Sequence, residues 1–356
     1  MPRLPILLLS LVAFGGVVGF AQAAPPAAPA SAASEAGNAA TAPSISPPAD
    51  TGDAAFAAYE RGAYFAAMNE ALKRIDGSRD PSAMTLLGVL YQNGLGIPRD
   101  LVKAAEWYAN AAKAGDRNAM VALALMKVDG DGGPKDLKGA ADLFEKAAAA
   151  GDNVAQYNCG LLYMQGDVRP HDLAKAADYF RKAATAGNAD AQYALAQMLQ
   201  SGEGIKENPQ EAVRWLKAAT ESGHVEAEVE YAIAQFNGTG TPRDEASAAE
   251  HFRHAANKGN VIAQNRLARL LFTGRGLPAD PVRGAMWHIL ARSAGLNDPF
   301  LDTELAKLTP EQHDEAEKLA RQYAGNAFAV LDASPAGGQD KAAAPDAASG
   351  KAPAAP

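Results

Sequence analysis

The stretch Ala155–Gly187, AQYNCGLLYMQGDVRPHDLAKAADYFRKAATAG, carries the pattern that decides the fold. The same pattern occurs five more times along the chain, at a constant spacing of 36 residues and without insertion. A fixed period of this length is typical of a solenoid, in which each repeat packs on its neighbours. The predicted repeats are 83–118, 119–154, 155–190, 191–226, 227–262 and 263–298.

Each repeat has the pattern of two helices joined by a turn. We number repeat positions from 0 at the first residue of each copy. Small or apolar residues fall at positions 0, 4, 5 and 8 and again at 21, 24, 25 and 28, which is helical spacing. Position 17 is Asp or Asn, whose side-chain oxygen can cap the second helix. Positions 11 and 32 are Gly in every copy, so they can provide the turn and end the second helix.

The small and large residues also predict how the two helices pack. Position 5 is Gly or Ala in every copy, which predicts a close approach of the paired helices. We expect the residue at position 24 to fill the core opposite this small position. These residues are Trp107, Leu143, Tyr179, Trp215, His251 and Trp287.

The first copy shows the complete set of recurring residues: Leu87, Gly88, Tyr91, Gly94, Gly96, Asp100, Lys103, Ala104, Trp107, Ala111, Ala112 and Gly115. This set resembles the Sel1-like repeat, the longer relative of the tetratricopeptide repeat. The resemblance implies an all-α fold, a right-handed α/α superhelix whose concave face binds proteins or peptides. A secreted branch of that family links its helix pairs by disulfides, whereas this chain has a single cysteine. Cys159 lies at a core position, where we expect a buried and unreactive thiol.

The first 23 residues have the features of a secretory signal. Arg3 precedes an apolar run, and the run ends in the small-residue motif Ala21-Gln22-Ala23, which predicts cleavage after Ala23. The mature protein would then be periplasmic or secreted, with no membrane segment. The alternative is an uncleaved anchor, because the apolar run is nearly long enough to span a bilayer.

Composition predicts the segments that flank the repeats. Residues 24–50 and 334–356 consist mainly of Ala, Pro, Ser, Gly and Thr and are expected to be a disordered linker and a disordered tail. Residues 51–82 resemble a capping half-repeat, and residues 299–333 have the pattern of C-terminal capping helices. Such caps cover the apolar ends of a solenoid.

Several function classes find no support in the sequence. The net charge of −8 argues against nucleic acid as a partner. We find no serine nucleophile elbow, zinc-protease helix, Ser-x-x-Lys pair or phosphate-binding loop. His251 and His254 lie on one helix, but no acidic ligand is evident beside them, and Asp129-Gly-Asp131 lacks the later ligands of a calcium loop. We therefore predict no catalytic residue, no cofactor and no metal site.

Repeat positions 3, 6 and 10 form a stripe on the first helices, away from core positions 0, 4 and 8. We predict that this stripe binds a protein or peptide partner, with an apolar part in the early repeats and a polar part in the late ones. The candidate partner-binding residues are Asn93, Asn158, Gln165, Gln197, Glu230, Asn237, Arg266 and Arg269.

The predicted function is that of a non-enzymatic exported scaffold or adaptor that regulates an envelope complex or a signalling pathway. One alternative is a repeat protein that hydrolyses peptidoglycan or β-lactams, which the family resemblance includes. The absence of a serine motif weighs against it. The other alternative is a structural protein that binds the cell wall.

Overall fold

The computed structural model describes residues 53–332, with side chains up to residue 325. Within that range the chain forms helices and turns and contains no strand. The predicted signal peptide at 1–23, linker at 24–50 and tail at 334–356 lie outside the described residues. The helices are α1 (Ala54–Glu60), α2 (Tyr64–Ser78), α3 (Pro81–Asn93), α4 (Leu101–Lys113), α5 (Arg117–Asp129), α6 (Leu137–Ala149), α7 (Asn153–Gln165), α8 (Leu173–Thr185), α9 (Ala189–Ser201), α10 (Pro209–Glu221), α11 (Val225–Asn237), α12 (Glu245–Asn257), α13 (Val261–Thr273), α14 (Pro281–Ser293), α15 (Pro299–Leu305) and α16 (Pro310–Asp332).

The chain divides into two compact units between Asn208 and Pro209. In the first unit, consecutive helices from α1 to α9 pack on one another. In the second unit the same order runs from α10 to α14, and α15 and α16 pack on the last repeat pair. Each unit is thus an all-α solenoid in which sequence neighbours are also spatial neighbours.

Side-chain caps fix where the helices begin. At the second helices, the capping carboxylate accepts the backbone N–H of the residue three positions later, at 2.8–3.0 Å. These caps are Asp100, Asp136, Asp172, Asp244 and Asp280. The first helices of the repeats are capped too, which the sequence analysis did not identify. Their caps are Asp80, Asp116, Asp152, Asn188, His224 and Asn260.

The residue opposite the small position 5 is at position 25, so the prediction for position 24 was wrong. A Cβ atom on Gly88 would lie 2.5 Å from Cε1 of Tyr108, and one on Gly160 would lie 2.5 Å from Cε1 of Phe180. Neither site has room for a side chain. The position 25 residues are buried in every copy: Tyr108, Phe144, Phe180, Leu216, Phe252 and His288.

The residues at position 24 lie at the edge of the core, with one exception. Trp287 is buried because α16 covers it, and its ring contacts the Tyr323 ring edge-on with centroids 4.9 Å apart. One residue along a helix turns a side chain by about 100°, which is enough to move it from the centre of the interface to its rim. The residues only partly buried are Trp107, Leu143, Tyr179, Trp215 and His251.

Position 13 also shapes the inter-helix turn. At Gly204 a Cβ atom would lie 2.5 Å from the carbonyl oxygen of Leu173, at the start of α8, so only Gly fits. Repeat 3 has Val168 at this position, and there the neighbouring Arg169 fastens the turn to α6. The Arg169 guanidinium donates to Glu145 at 2.9 and 3.0 Å and to Asp142 at 2.6 Å. A charge-assisted contact thus holds the turn that lacks the second Gly.

The helices after the last repeat are anchored by polar contacts. The Tyr323 hydroxyl of α16 donates to the carbonyl oxygen of Asn257 at 2.9 Å. Asp298 caps α15 by accepting the backbone N–H of Phe300 at 3.1 Å. Among the described residues, none of the helices combines the length and apolar character needed to cross a membrane.

Candidate partner-binding surfaces

Part of the predicted stripe belongs to the core of the first unit. Leu86, Ala122 and Ala194, all at position 3, are buried. Leu86, for example, packs in one cluster with Ala67 and Ala71 of α2. α3 and α5, for example, each contact the helix before them as well as the second helix of their own repeat, so their buried faces are wider than positions 0, 4, 5 and 8. The predicted apolar part of the stripe is therefore wrong at these residues.

The polar candidates of the first unit are partly engaged within their own helices. The Asn93 amide donates to the carbonyl oxygen of Val89 at 3.0 Å, and the Asn158 amide donates to that of Val154 at 2.8 Å. Asn93 is exposed, whereas Asn158, Gln165 and Gln197 are half-buried. Their role in binding stays a prediction.

In the second unit, Arg269 is held in an ion pair. Its Nε and Nη2 atoms both donate to the Asp298 carboxylate at 2.6 Å, and the Asn265 amide donates to the same group at 2.9 Å. Burial raises the pKa of Asp298, but the hydrogen bonds from Arg269 and Asn265 outweigh it and hold that pKa below its ordinary value. Arg269 therefore ties α13 to the start of α15.

The other stripe candidates in the second unit reach the surface to different extents. Glu230 on α11 is half-buried, while Asn237 at the end of α11 and Arg266 on α13 are exposed. Two exposed apolar side chains belong to the same region: Ile262 lies one helical turn before Arg266, and the Phe300 ring of α15 lies 4.9 Å from the guanidinium carbon of Arg269. We call Ile262, Arg266, Arg269 and Phe300 the α13 patch. It combines positive charge with apolar surface.

A second polar cluster lies in repeat 5 and consists of Glu228, His251 and His254. The Glu228 side chain is only 6% exposed. The Nδ1 atoms of His251 and His254 lie 3.1 and 2.8 Å from Glu228 Oε1. His254 is 58% exposed, and all three residues line an open pocket of about 500 Å³. The buried carboxylate thus meets two imidazoles at its solvent side.

In repeat 5 a glutamate, Glu228, occupies the position where three other repeats have a glutamine. Position 1 is occupied by Gln156, Gln192 and Gln264 in repeats 3, 4 and 6. Each of these amides donates to a carbonyl oxygen near the end of the preceding second helix, at 3.2–3.4 Å. Glutamate has no N–H to donate, so Glu228 requires other partners.

His251 and His254 were predicted not to form a metal site, and their acidic neighbour Glu228 was missed. The signal was present, because position 1 changes from Gln to Glu in the same repeat that acquires both imidazoles. Among the described side chains, no group of three or more His, Cys, Asp or Glu is arranged to hold a metal ion. As it stands, the cluster is a hydrogen-bonded network.

The single thiol is in the core, as expected from its repeat position. Cys159 on α7 is fully buried, and burial raises its pKa to about 12. A thiol with such a pKa carries almost no thiolate at neutral pH, so it is a poor nucleophile.

Comparison with known proteins agrees with the repeat pattern. The family model described as Sel1 repeat matches residues 81–116, 117–152, 153–188, 189–224, 225–260 and 261–296. These matches keep the predicted period and begin two residues before the predicted copies. No curated protein is similar enough to count as a match.

Two solved structures share the fold. A Sel1 repeat protein from Oxalobacter formigenes is 29% identical, with a TM-score of 0.60, and the alignment covers 67% of this chain and 98% of that one. A protective antigen of uropathogenic Escherichia coli strains that displays an SLR fold is 27% identical, with a TM-score of 0.53. That alignment covers 82% of this chain and 69% of the other.

Proposed function

Because the chain belongs to the Sel1 repeat family, we propose that it is a non-enzymatic exported scaffold or adaptor that binds protein or peptide partners. The Sel1 repeat is a fold typically used for protein–protein interaction. The signal-like sequence of residues 1–23 supports export. The role we infer is regulation of an envelope complex or of a signalling pathway.

The observation that carries this proposal is the α13 patch. Arg266 is exposed one helical turn after the exposed Ile262, and the exposed Phe300 packs on Arg269 of the same helix. Arginine and apolar residues grouped on a rigid helix are the composition of a protein-binding surface. The buried thiol of Cys159, whose pKa burial raises to about 12, gives no support to a cysteine nucleophile.

Crosslinking in living cells tests the proposal. The tagged full-length chain is crosslinked and its partners are identified by mass spectrometry, beside the variant Arg266→Glu. Arg214→Glu is the matched control, because Arg214 is an exposed arginine on α10 outside the stripe. We expect one partner to be enriched with the wild type and with the control, and to be reduced with Arg266→Glu.

The same preparation tests export and the enzymatic alternative. N-terminal sequencing of the mature protein is expected to begin at Ala24. Turnover of a chromogenic β-lactam or of purified peptidoglycan would contradict the non-enzymatic assignment. Absence of any enriched protein, together with sedimentation of the chain with peptidoglycan, would favour the cell-wall-binding alternative instead.

A further inference from the structure

Arg266 differs from the other arginines whose pKa is shifted. Arg74, Arg169 and Arg275 donate hydrogen bonds to carboxylates, and these contacts raise their pKa. Among the described residues, Arg266 has no carboxylate in ion-pair contact, and Asp298 attracts it without a hydrogen bond. Desolvation by the surrounding protein, with repulsion from Arg269, lowers its pKa. Its charge is therefore poorly compensated within the second unit.

Asp298 is the nearby carboxylate of the second unit, but it is not available to pair with Arg266. Asp298 attracts Arg266 electrostatically. Its two oxygens, however, already accept hydrogen bonds from Arg269 and Asn265 and from the backbone N–H of Phe300. A carboxylate that pairs with Arg266 must come from elsewhere.

Apolar surface lies beside this arginine. Ile262 precedes Arg266 by one helical turn and is 48% exposed. Phe300 is 37% exposed, and its ring centre lies 4.9 Å from the guanidinium carbon of Arg269. Since Arg269 is fixed by Asp298, the Phe300 ring is held on a rigid support. The patch thus offers two apolar contacts and one cation that no carboxylate of the described residues pairs with directly.

We propose that the α13 patch binds an extended, acidic segment of a partner protein, whose carboxylate pairs with Arg266 while an apolar side chain packs on Ile262. Ile262 and Arg266 are separated by a rise of about 6 Å along the helix. In an extended peptide, side chains two residues apart lie on one face at about 6.6 Å. The patch therefore selects an Asp or Glu two positions from a large apolar residue. This inference rests on the proposed function, because it names the chemistry of the partner.

Selection from a random peptide library displayed on phage tests the inference directly. The bait is the full-length protein as wild type, Arg266→Glu, Ile262→Ser and the control Arg214→Glu. The wild type and the control are expected to enrich peptides with an acid two positions from a large apolar residue. Arg266→Glu is expected to lose the acid from the selected motif, and Ile262→Ser to keep the acid but lose the apolar position.

The best selected peptide, labelled with fluorescein, then gives the affinity by fluorescence polarisation. We expect Arg266→Glu to raise Kd about tenfold or more, whereas Arg214→Glu leaves it within about twofold. Equal melting temperatures of the variants exclude misfolding as the cause.

Three results would overturn the inference. If Arg266→Glu enriches the same motif as the wild type, the protein binds peptides elsewhere, and the proposed function survives without this site. If no peptide is enriched while crosslinking still captures a partner, the α13 patch does not bind an extended segment, and the proposed function survives without it. If the wild type forms a dimer that Arg266→Glu abolishes, the occupant is a second copy of the chain.

Discussion

Repeat 5 (α11 and α12) and repeat 6 (α13 and α14) bury groups of different charge at position 1, and the two groups have different partners. In repeat 6 the buried Gln264 donates its amide to the carbonyl oxygen of Ala256 at 3.4 Å. In repeat 5 the equivalent Glu228 is equally buried and meets the imidazoles of His251 and His254. The amide of repeat 6 thus bonds to the helix before it, whereas the carboxylate of repeat 5 meets imidazoles on the second helix of its own repeat.

The second-helix positions of these two histidines are also polar in repeat 5 and apolar in repeat 6. Where repeat 5 has His251 and His254, repeat 6 has Trp287 and Leu290. A neutral amide can be buried with a single hydrogen bond, whereas a buried carboxylate needs strong donors. Glu228 and its two histidines are therefore one unit, and none of the three is explained by its own repeat position alone.

The largest loss of stability is expected when a carboxylate is introduced at position 1 of repeat 6, where no histidines accompany it. Gln264→Glu puts a carboxylate against the Ala256 carbonyl oxygen, in apolar surroundings, and should lower the free energy of unfolding by about 3 kcal/mol. Gln264→Met is the control, because Met84 and Met120 occupy this position in repeats 1 and 2. It should cost about 1 kcal/mol or less. Urea unfolding followed by circular dichroism measures both. Equal losses would mean that the charge is irrelevant at this junction.

A smaller effect is expected when the histidines are removed and the carboxylate stays. His251→Ala with His254→Ala leaves Glu228 buried without donors and should cost about 2 kcal/mol, less than a fully apolar site because water can reach through the open pocket. Adding Glu228→Gln to this variant should recover about half of the loss, since an amide can again donate to a carbonyl. The same urea titration reports the recovery. A triple variant less stable than the double variant would show that Glu228 does not depend on the imidazoles.

Much of the fold could be predicted because its determinants recur. The period, the Asp caps at position 17 and the glycines at positions 11 and 32 are local signals, and each appears in every copy or nearly so. The sequence did not show which position of the second helix packs against the small residue at position 5. Positions 24 and 25 are both large in most copies, and only the packing of Tyr108 on Gly88 shows which one faces the core.

The candidate surfaces depend on contacts that the repeat pattern does not encode. Glu228 lies 23 and 26 residues before its two imidazoles, so local spacing on one helix could not reveal the cluster. Arg269 pairs with Asp298, which lies outside the copies matched to the family. Arg266 is exposed, whereas Arg269 is engaged by Asp298, and the role of Arg266 in binding stays a prediction.

Asp298 is a second buried carboxylate to compare with Glu228. Its partner is the guanidinium of Arg269, which stays protonated over the whole pH range, and not an imidazole. The pKa of Asp298 is held low in the folded protein, so its contribution to stability is present above the unfolded value of about 3.9 and is lost as pH falls through the folded value. Asp298→Asn keeps a residue that can cap α15 but removes the ion pair. At neutral pH it should cost about 1 kcal/mol, a modest figure because the Arg269 side chain is 40% exposed and water screens the pair.

The cost of Asp298→Asn should shrink as both proteins are titrated below about pH 4, because the wild-type carboxyl then becomes neutral as well. The measurement is the urea midpoint of both proteins from neutral pH down to the lowest pH at which both remain folded, because the pKa of Asp298 lies below its ordinary value. Convergence of the two curves in acid assigns the stabilising charge to Asp298. Parallel curves over the whole range would mean that the hydrogen bonds, which asparagine retains in part, and not the charge of Asp298, hold the C-terminal helices.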